Sequence, residues 1–266
     1  MTIRTLVLAA ALAGIALPAV AQDLPDLGGR TIKAVTENAY FPLNFEDPAT
    51  GQGIGLEYDV FNEIGKRLNA KVEWSLMAWD PMIEAVRQGQ FDVGMDGISI
   101  TAEREEVIDF SEPFISVDQY MLVRADEERI TGPESFTPES GLLIGAQTGT
   151  TSLTAVEEHI APTTGVQVFN TNDDAKLALE TGQVDAIVDD LPTAFYLTGG
   201  ELTDGVIVGQ LPETTGVSDE FGLVLAKDSP LTDEVSAAVD ALREDGTLDA
   251  IAAEWLADAA DAPVLQ

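Results

Sequence analysis

The chain has 266 residues, no cysteine and a formal net charge of -34. That acid excess makes nucleic acid and anionic membrane surfaces poor partners. The absence of cysteine rules out a disulfide framework and a lipid-modified cysteine. At the start, Arg4 precedes an apolar run from Leu6 to Leu17 and the small-x-small triplet Ala19-Val20-Ala21. This pattern predicts a cleaved secretory signal peptide over residues 1–21, with the mature chain starting at Gln22. No later stretch has the length and apolarity of a transmembrane helix, so a soluble periplasmic protein is expected, a monomer by default. The rest of the chain suits one large domain or two modest ones.

Residues 31–36 (TIKAVT) alternate polar and apolar and read as a strand, followed by a loop rich in Pro, Asn and Gly over residues 37–54. Residues 57–68 form an amphipathic helix, with Leu56, Val60, Phe61, Ile64 and Leu68 at helical spacing. Residues 71–76 are the next strand. Asp80-Pro81 then reads as an N-cap and first helical position for a helix ending near Gln88. A third strand is expected over residues 91–95. Strand, helix, strand, helix, strand is the pattern of a parallel α/β sheet.

After a strand at 119–124 and a polar irregular stretch at 125–141, the pattern starts again. Strands are expected at 142–146, 166–169, 186–189, 206–209 and 221–226. Helices are expected from Thr151 to about Ile160, over 173–181, from Pro192, and over 231–244 and 248–256. Two α/β runs joined by two extended crossings, near residues 118–120 and 219–221, predict two lobes with a hinge. The expected boundaries are 22–118 plus 220–266 for lobe one and 119–219 for lobe two.

The stretch from Phe91 to Pro113 carries the chemistry. Gly97 permits close approach of the backbone to a ligand, Ser99 supplies a hydroxyl, and Thr101 is a good N-cap for the turn bearing Arg104. A guanidinium fork beside a hydroxyl suits a carboxylate. The plainer alternative is a strand–turn–helix corner with a surface arginine. Tyr40, Trp79, Ser99, Thr150 and Asp190 all fall just past predicted strands, where open α/β sheets bind ligands.

Several motifs, in register, resemble a known family. Gly55-Leu56-Glu57-Tyr58-Asp59-Val60, Ser99-Ile100-Thr101 with Arg104, Asp109-Phe110-Ser111-Glu112-Pro113-Phe114, Gly149-Thr150-Thr151 and the run from Val184 to Pro192 are similar to bacterial solute-binding proteins of the polar amino-acid type, family 3. The resemblance implies a two-lobed periplasmic binding protein (type II), each lobe a mostly parallel sheet flanked by helices. Such a clamp closes on one amino acid and delivers it to the membrane permease of an ABC importer. It implies that Arg104 holds the α-carboxylate, helped by the backbone at Ser99 and by the helix start at Thr150 and Thr151, with Gly97 also counted among the ligand-binding residues. Asp190 would accept the α-ammonium, with Asp189 expected to point the other way along the strand. Tyr40 would stack on the ligand and Trp79 would form the opposite wall.

Glu37 matches a position that is acidic in lysine/arginine/ornithine binders, and Asp96 adds a second acid at the rim. With Tyr40 and Trp79 able to sandwich a cationic side chain, the expected ligand is arginine, lysine or ornithine. The alternatives are a polar neutral amino acid such as glutamine, or a cyclohexadienyl dehydratase-like enzyme in which Glu37 or Asp96 acts as general acid. Against an enzyme stand the missing cysteine, a single histidine (His159) at a predicted helix end, no EF-hand spacing, and a Gly149-Thr150-Thr151 turn without a P-loop lysine. No cofactor or metal is implied.

Overall fold

The computed structural model describes residues 24–162, 165–196 and 205–256. The expected signal peptide lies outside them. The fold is α/β, with two five-stranded sheets built alike. The first has the order Lys71–Leu76, Thr31–Thr36, Val93–Gly94, Val224–Ala226, Ile108–Phe110. The second has the order Val166–Phe169, Ile144–Gln147, Ala186–Asp190, Gln119–Arg124, Gly205–Gln210. In each sheet the strand that enters from the other lobe, Val224–Ala226 or Gln119–Arg124, runs antiparallel to both its neighbours, while the three preceding strands pair in parallel.

Each sheet is covered on both faces. Along the first strand, Ile32 and Ala34 join a core formed with Val60, Phe61 and Ile64 of the helix Leu56–Arg67 and with Val235 and Val239 of the helix Thr232–Glu244. Val35, one residue on, faces Met82 and Val86 of the helix Trp79–Arg87. The period of two thus splits one strand between two cores. In the second lobe Met121 and Val123 face one core and Tyr120 and Leu122 the other. Each large side chain buried this way contributes about 1.5–3 kcal/mol.

The lobes meet at a third, three-stranded antiparallel sheet in which Val217–Phe221 lies between Ser99–Thr101 and Ile115–Ser116. The two crossings are tied together, Val117 N donating to Asp219 O at 2.7 Å.

Several local expectations are corrected. The stretch 37–54 is not plain loop: Ala39–Tyr40, Asn44–Glu46 and Gly53–Ile54 form a small antiparallel sheet. The strand expected at 91–95 ladders only over Val93–Gly94. The one expected at 221–226 is broken at Gly222, where a Cβ would stand 2.9 Å from the Phe110 ring, so Val217–Phe221 and Val224–Ala226 belong to different sheets. The helix from Thr151 is α-helical only to Ala155 and continues as a π-turn over Val156–Ile160. The helix expected to start at an Asp80 cap begins at Trp79, with Ala78 as a cap that makes no side-chain hydrogen bond.

Candidate functional site

Between the lobes, at the carboxyl ends of the strands, lies a cavity, the place where open α/β sheets bind ligands. Its wall includes Glu37, Tyr40, Trp79, Asp96, Gly97, Ser99 and Arg104 from lobe one, and Thr150, Thr151 and Asp190 from lobe two. Gln147, Ser152, Asn172 and Asp189 line it as well. They are short polar side chains in ordinary strand and helix positions, and only the meeting of the lobes brings them to one place.

Arg104 is presented by a short turn that Thr101 caps, its hydroxyl accepting from Arg104 N at 3.1 Å. The guanidinium donates to Ser99 O at 2.8 Å and, across the cleft, to Gly149 O at 3.1 Å. It stands 5.3 Å over the Trp79 ring. The expected sandwich of a ligand between Tyr40 and Trp79 is therefore modified, because Trp79 offers one face to Arg104. Among the described residues no ion pair to Arg104 is formed. Burial pulls its pKa down to about 10, which still leaves it cationic at neutral pH. A half-buried cation with no ion-pair partner favours an anion entering the cavity.

Gly97 has φ 60°, and a Cβ there would sit 2.2 Å from the Tyr40 ring. Its N–H donates at 2.8 Å to Glu57, which is buried and also accepts from the Asn44 amide at 2.7 Å. Glu57 thus ties the helix Leu56–Arg67 to the turn that shapes the site. Asp96, next to Gly97, accepts from Thr36 Oγ1 and Glu37 N, both at 2.9 Å. Burial, together with the nearby Asp96 carboxylate, pushes Glu57 up to about 8. Burial, followed by the charge of Glu37, pushes Asp96 up to about 7. Glu37 itself accepts from Trp79 N at 3.2 Å. This explains the misplaced helix start: a carboxylate from another segment meets the first orphan N–H, and no local cap is needed. Burial raises the Glu37 pKa.

In the second lobe Thr150 caps its helix, accepting from Leu153 N at 3.2 Å and donating to Gln147 O at 2.8 Å. The hydroxyls of Thr151 and Ser99 meet at 3.1 Å across the cleft. Thr193 Oγ1 also crosses, donating to Phe41 O at 3.0 Å. Asp190 is held by the Gln119 amide, whose oxygen accepts from Ser152 Oγ at 2.5 Å. Asp190 is buried and forms no ion pair among the described residues, so burial, helped by the charge of Asp219, raises its pKa well above the usual range. Asp189 does not point away: it accepts from Asn172 Nδ2 at 2.8 Å and from the Asp190 N–H at 2.9 Å. Strand alternation ends here because Leu191 already begins a helix.

One cavity therefore holds a cationic group without an anion and a carboxyl group without a cation. That arrangement is complementary to a zwitterion, with further acid at Glu37, Asp96 and Asp189. No group of three or more potential metal ligands occurs among the described residues. His159, away from the cavity, contacts Thr214 Oγ1 at 3.3 Å.

A family model described as bacterial extracellular solute-binding proteins, family 3, matches residues 32–258. An L-arginine-binding protein of Pseudomonas aeruginosa is 26% identical over 244 residues, covering 90% of this chain and 90% of that protein. An ancestral arginine-binding protein solved with arginine is 31% identical, with a TM-score of 0.75, covering 85% of this chain and 97% of the other. An ancestral amino acid-binding protein described as a precursor of cyclohexadienyl dehydratase is 30% identical, with a TM-score of 0.73, covering 85% and 94%.

Proposed function

The chain belongs to the bacterial extracellular solute-binding proteins, family 3, and from that premise we propose that it captures a cationic amino acid, arginine, lysine or ornithine, for an ABC importer. The observation that carries this reading is an unmatched cation, Arg104, and an unpaired buried carboxyl, Asp190, on one interlobe cavity whose remaining ionisable wall is acidic. Arg104 takes the α-carboxylate, with the Thr150–Thr151 turn beside it. Asp190 takes the α-ammonium, and Glu37 with its neighbours faces the side chain. Arginine in the names of the relatives supports the same class. Tyr40, Trp79 and Ser99 dock the ligand on lobe one. Closure brings lobe two to the head group, and the closed form is what the permease recognises. Only the closed form makes both sets of contacts, so ligand favours it.

The protein is read as a binder and not an enzyme, acting outside the cytoplasm after loss of its signal peptide. No helix among the described residues is long and apolar enough to cross a membrane. The amino acid-binding relative described as a precursor of cyclohexadienyl dehydratase keeps one rival open to test: incubation with prephenate or arogenate yields no aromatic product if the chain only binds.

The primary test is a thermal-shift and calorimetric screen against the common amino acids. Ligand at about a thousand times its Kd adds roughly 4 kcal/mol of stability. Shifts with arginine, lysine or ornithine are expected. A shift with glutamine but none of these would keep the head-group site and discard the cationic assignment.

A further inference from the structure

We propose that Lys176 is a positioning residue of the cleft, a resident cation behind its acidic wall that holds Glu37 and Asp189 in place and charged before ligand arrives. The inference rests on the cationic-ligand reading above and adds a residue outside the cavity wall. Lys176 is only 8% exposed, which is rare for lysine unless it is paired. Its ion pair to Asp173, at 3.5 Å, reaches a side chain that is 72% exposed, and solvated pairs of that kind contribute little. A different environment accounts for the burial. Lys176 lies one turn beyond Asn172 on the helix Asn172–Glu180, on the same face, and Asn172 donates to Asp189 at 2.8 Å. The same helix packs against Ala39–Tyr40 of the other lobe, two residues from Glu37.

The charged groups around this space are Glu37 and Asp96 from lobe one, Asp189 and Asp190 from the strand Ala186–Asp190, and Asp173 from the helix itself. Lys176 opposes the rise that burial imposes on both Glu37 and Asp189, while Asp173 adds to it. Without Lys176 no cation offsets the rise that burial and Asp173 impose on the two acids, and one of them takes up a proton that a cationic ligand must then displace.

The test compares the full chain with its Lys176→Met and Lys176→Arg variants, measuring Kd for whichever of arginine, lysine and ornithine binds, from pH 5 to pH 8. Lys176→Met is expected to bind at pH 8 within a few-fold of the parent and to lose affinity more steeply on acidification. One extra displaced proton adds up to about tenfold per pH unit. Lys176→Arg is expected to follow the parent profile. Parallel profiles for Lys176→Met and the parent overturn the proposal and leave the ligand reading standing, whereas failure of the parent to bind any of the three defeats both. If Lys176→Met does not fold, carboxyl-carbon NMR of the ligand-free parent decides. Glu37 and Asp189 are expected to be ionised at pH 7, and finding either one protonated overturns the proposal.

Discussion

Arg104 is the residue on which the site depends most heavily. Its two hydrogen bonds go to carbonyl oxygens, Ser99 O and Gly149 O, and not to a carboxylate. The guanidinium therefore reaches the cavity oriented but not neutralised. Truncating one member of a buried charge pair costs about 2–5 kcal/mol, so Arg104→Ala is expected to weaken amino-acid binding by roughly thirty-fold to several thousand-fold. Arg104→Lys should recover little, because a compact ammonium lacks the planar fork whose separate nitrogens reach the two carbonyls while facing a carboxylate. Titration calorimetry on both variants checks this. Asp190 predicts a pH dependence with a definite sign. Its pKa in the ligand-free protein is raised by burial, and an incoming ammonium stabilises the charged form. Binding therefore releases a proton, and affinity falls as pH falls through the raised pKa. Calorimetry in buffers of differing ionisation enthalpy should show that release; proton uptake would contradict it. That Arg104 and Asp190 line the cavity was legible in the sequence, because each lies at the end of a strand in a recognisable motif. Asp189 was not, since the alternation rule assumes a continuing strand and this one ends at Asp190.

The elements themselves were legible where periodicity was strong, as in Thr31–Thr36, Lys71–Leu76 and Val166–Phe169, whose predicted bounds coincide with those observed. What failed was whatever another segment decides. The helix Trp79–Arg87 starts where Glu37 meets its first N–H and not where Asp80 would cap it. The helix Leu56–Arg67 is joined in the same way to the turn at Gly97, through Glu57. This link has a measurable consequence. Glu57, at about 8, and Asp96, at about 7, are raised above ordinary carboxyl values, so between about pH 4.5 and 8 the folded protein holds protons that the unfolded chain has lost. Stability from this pair is therefore present at acid pH and declines as pH rises to about 8, by up to about 1.4 kcal/mol per pH unit for each proton. Glu57→Gln removes one titrating group while keeping the shape, and its amide can donate to Asn44 Oδ1, a buried atom otherwise without a partner. The variant is expected to show a flatter denaturation midpoint between pH 5 and 8 than the parent. An unchanged slope would place the pH dependence elsewhere.

At the scale of the whole molecule, affinity combines contacts to ligand with the equilibrium between open and closed lobes. Side-chain hydrogen bonds that cross the cleft include Ser99 to Thr151, Arg104 to Gly149, and Thr193 to Phe41. The first two involve residues on the cavity wall, so changing them alters both quantities together. Thr193 is fully buried and absent from that wall, which makes its bond to Phe41 O a handle on closure alone. A hydrogen bond of this kind contributes about 0.5–1.5 kcal/mol net. Thr193→Val keeps the side-chain shape and removes the donor, so the closed state should lose roughly two- to twelve-fold in population relative to the open one. Apparent affinity scales with the competent fraction when the closed form is the minor one. Every ligand should then weaken by the same factor, in contrast to a substitution at Glu37, which should discriminate between arginine and glutamine. Kd values for several amino acids on the parent and on Thr193→Val separate these cases. A uniform ratio supports closure as an independent contribution. A ratio that changes with the ligand side chain would mean that Thr193 shapes the pocket after all.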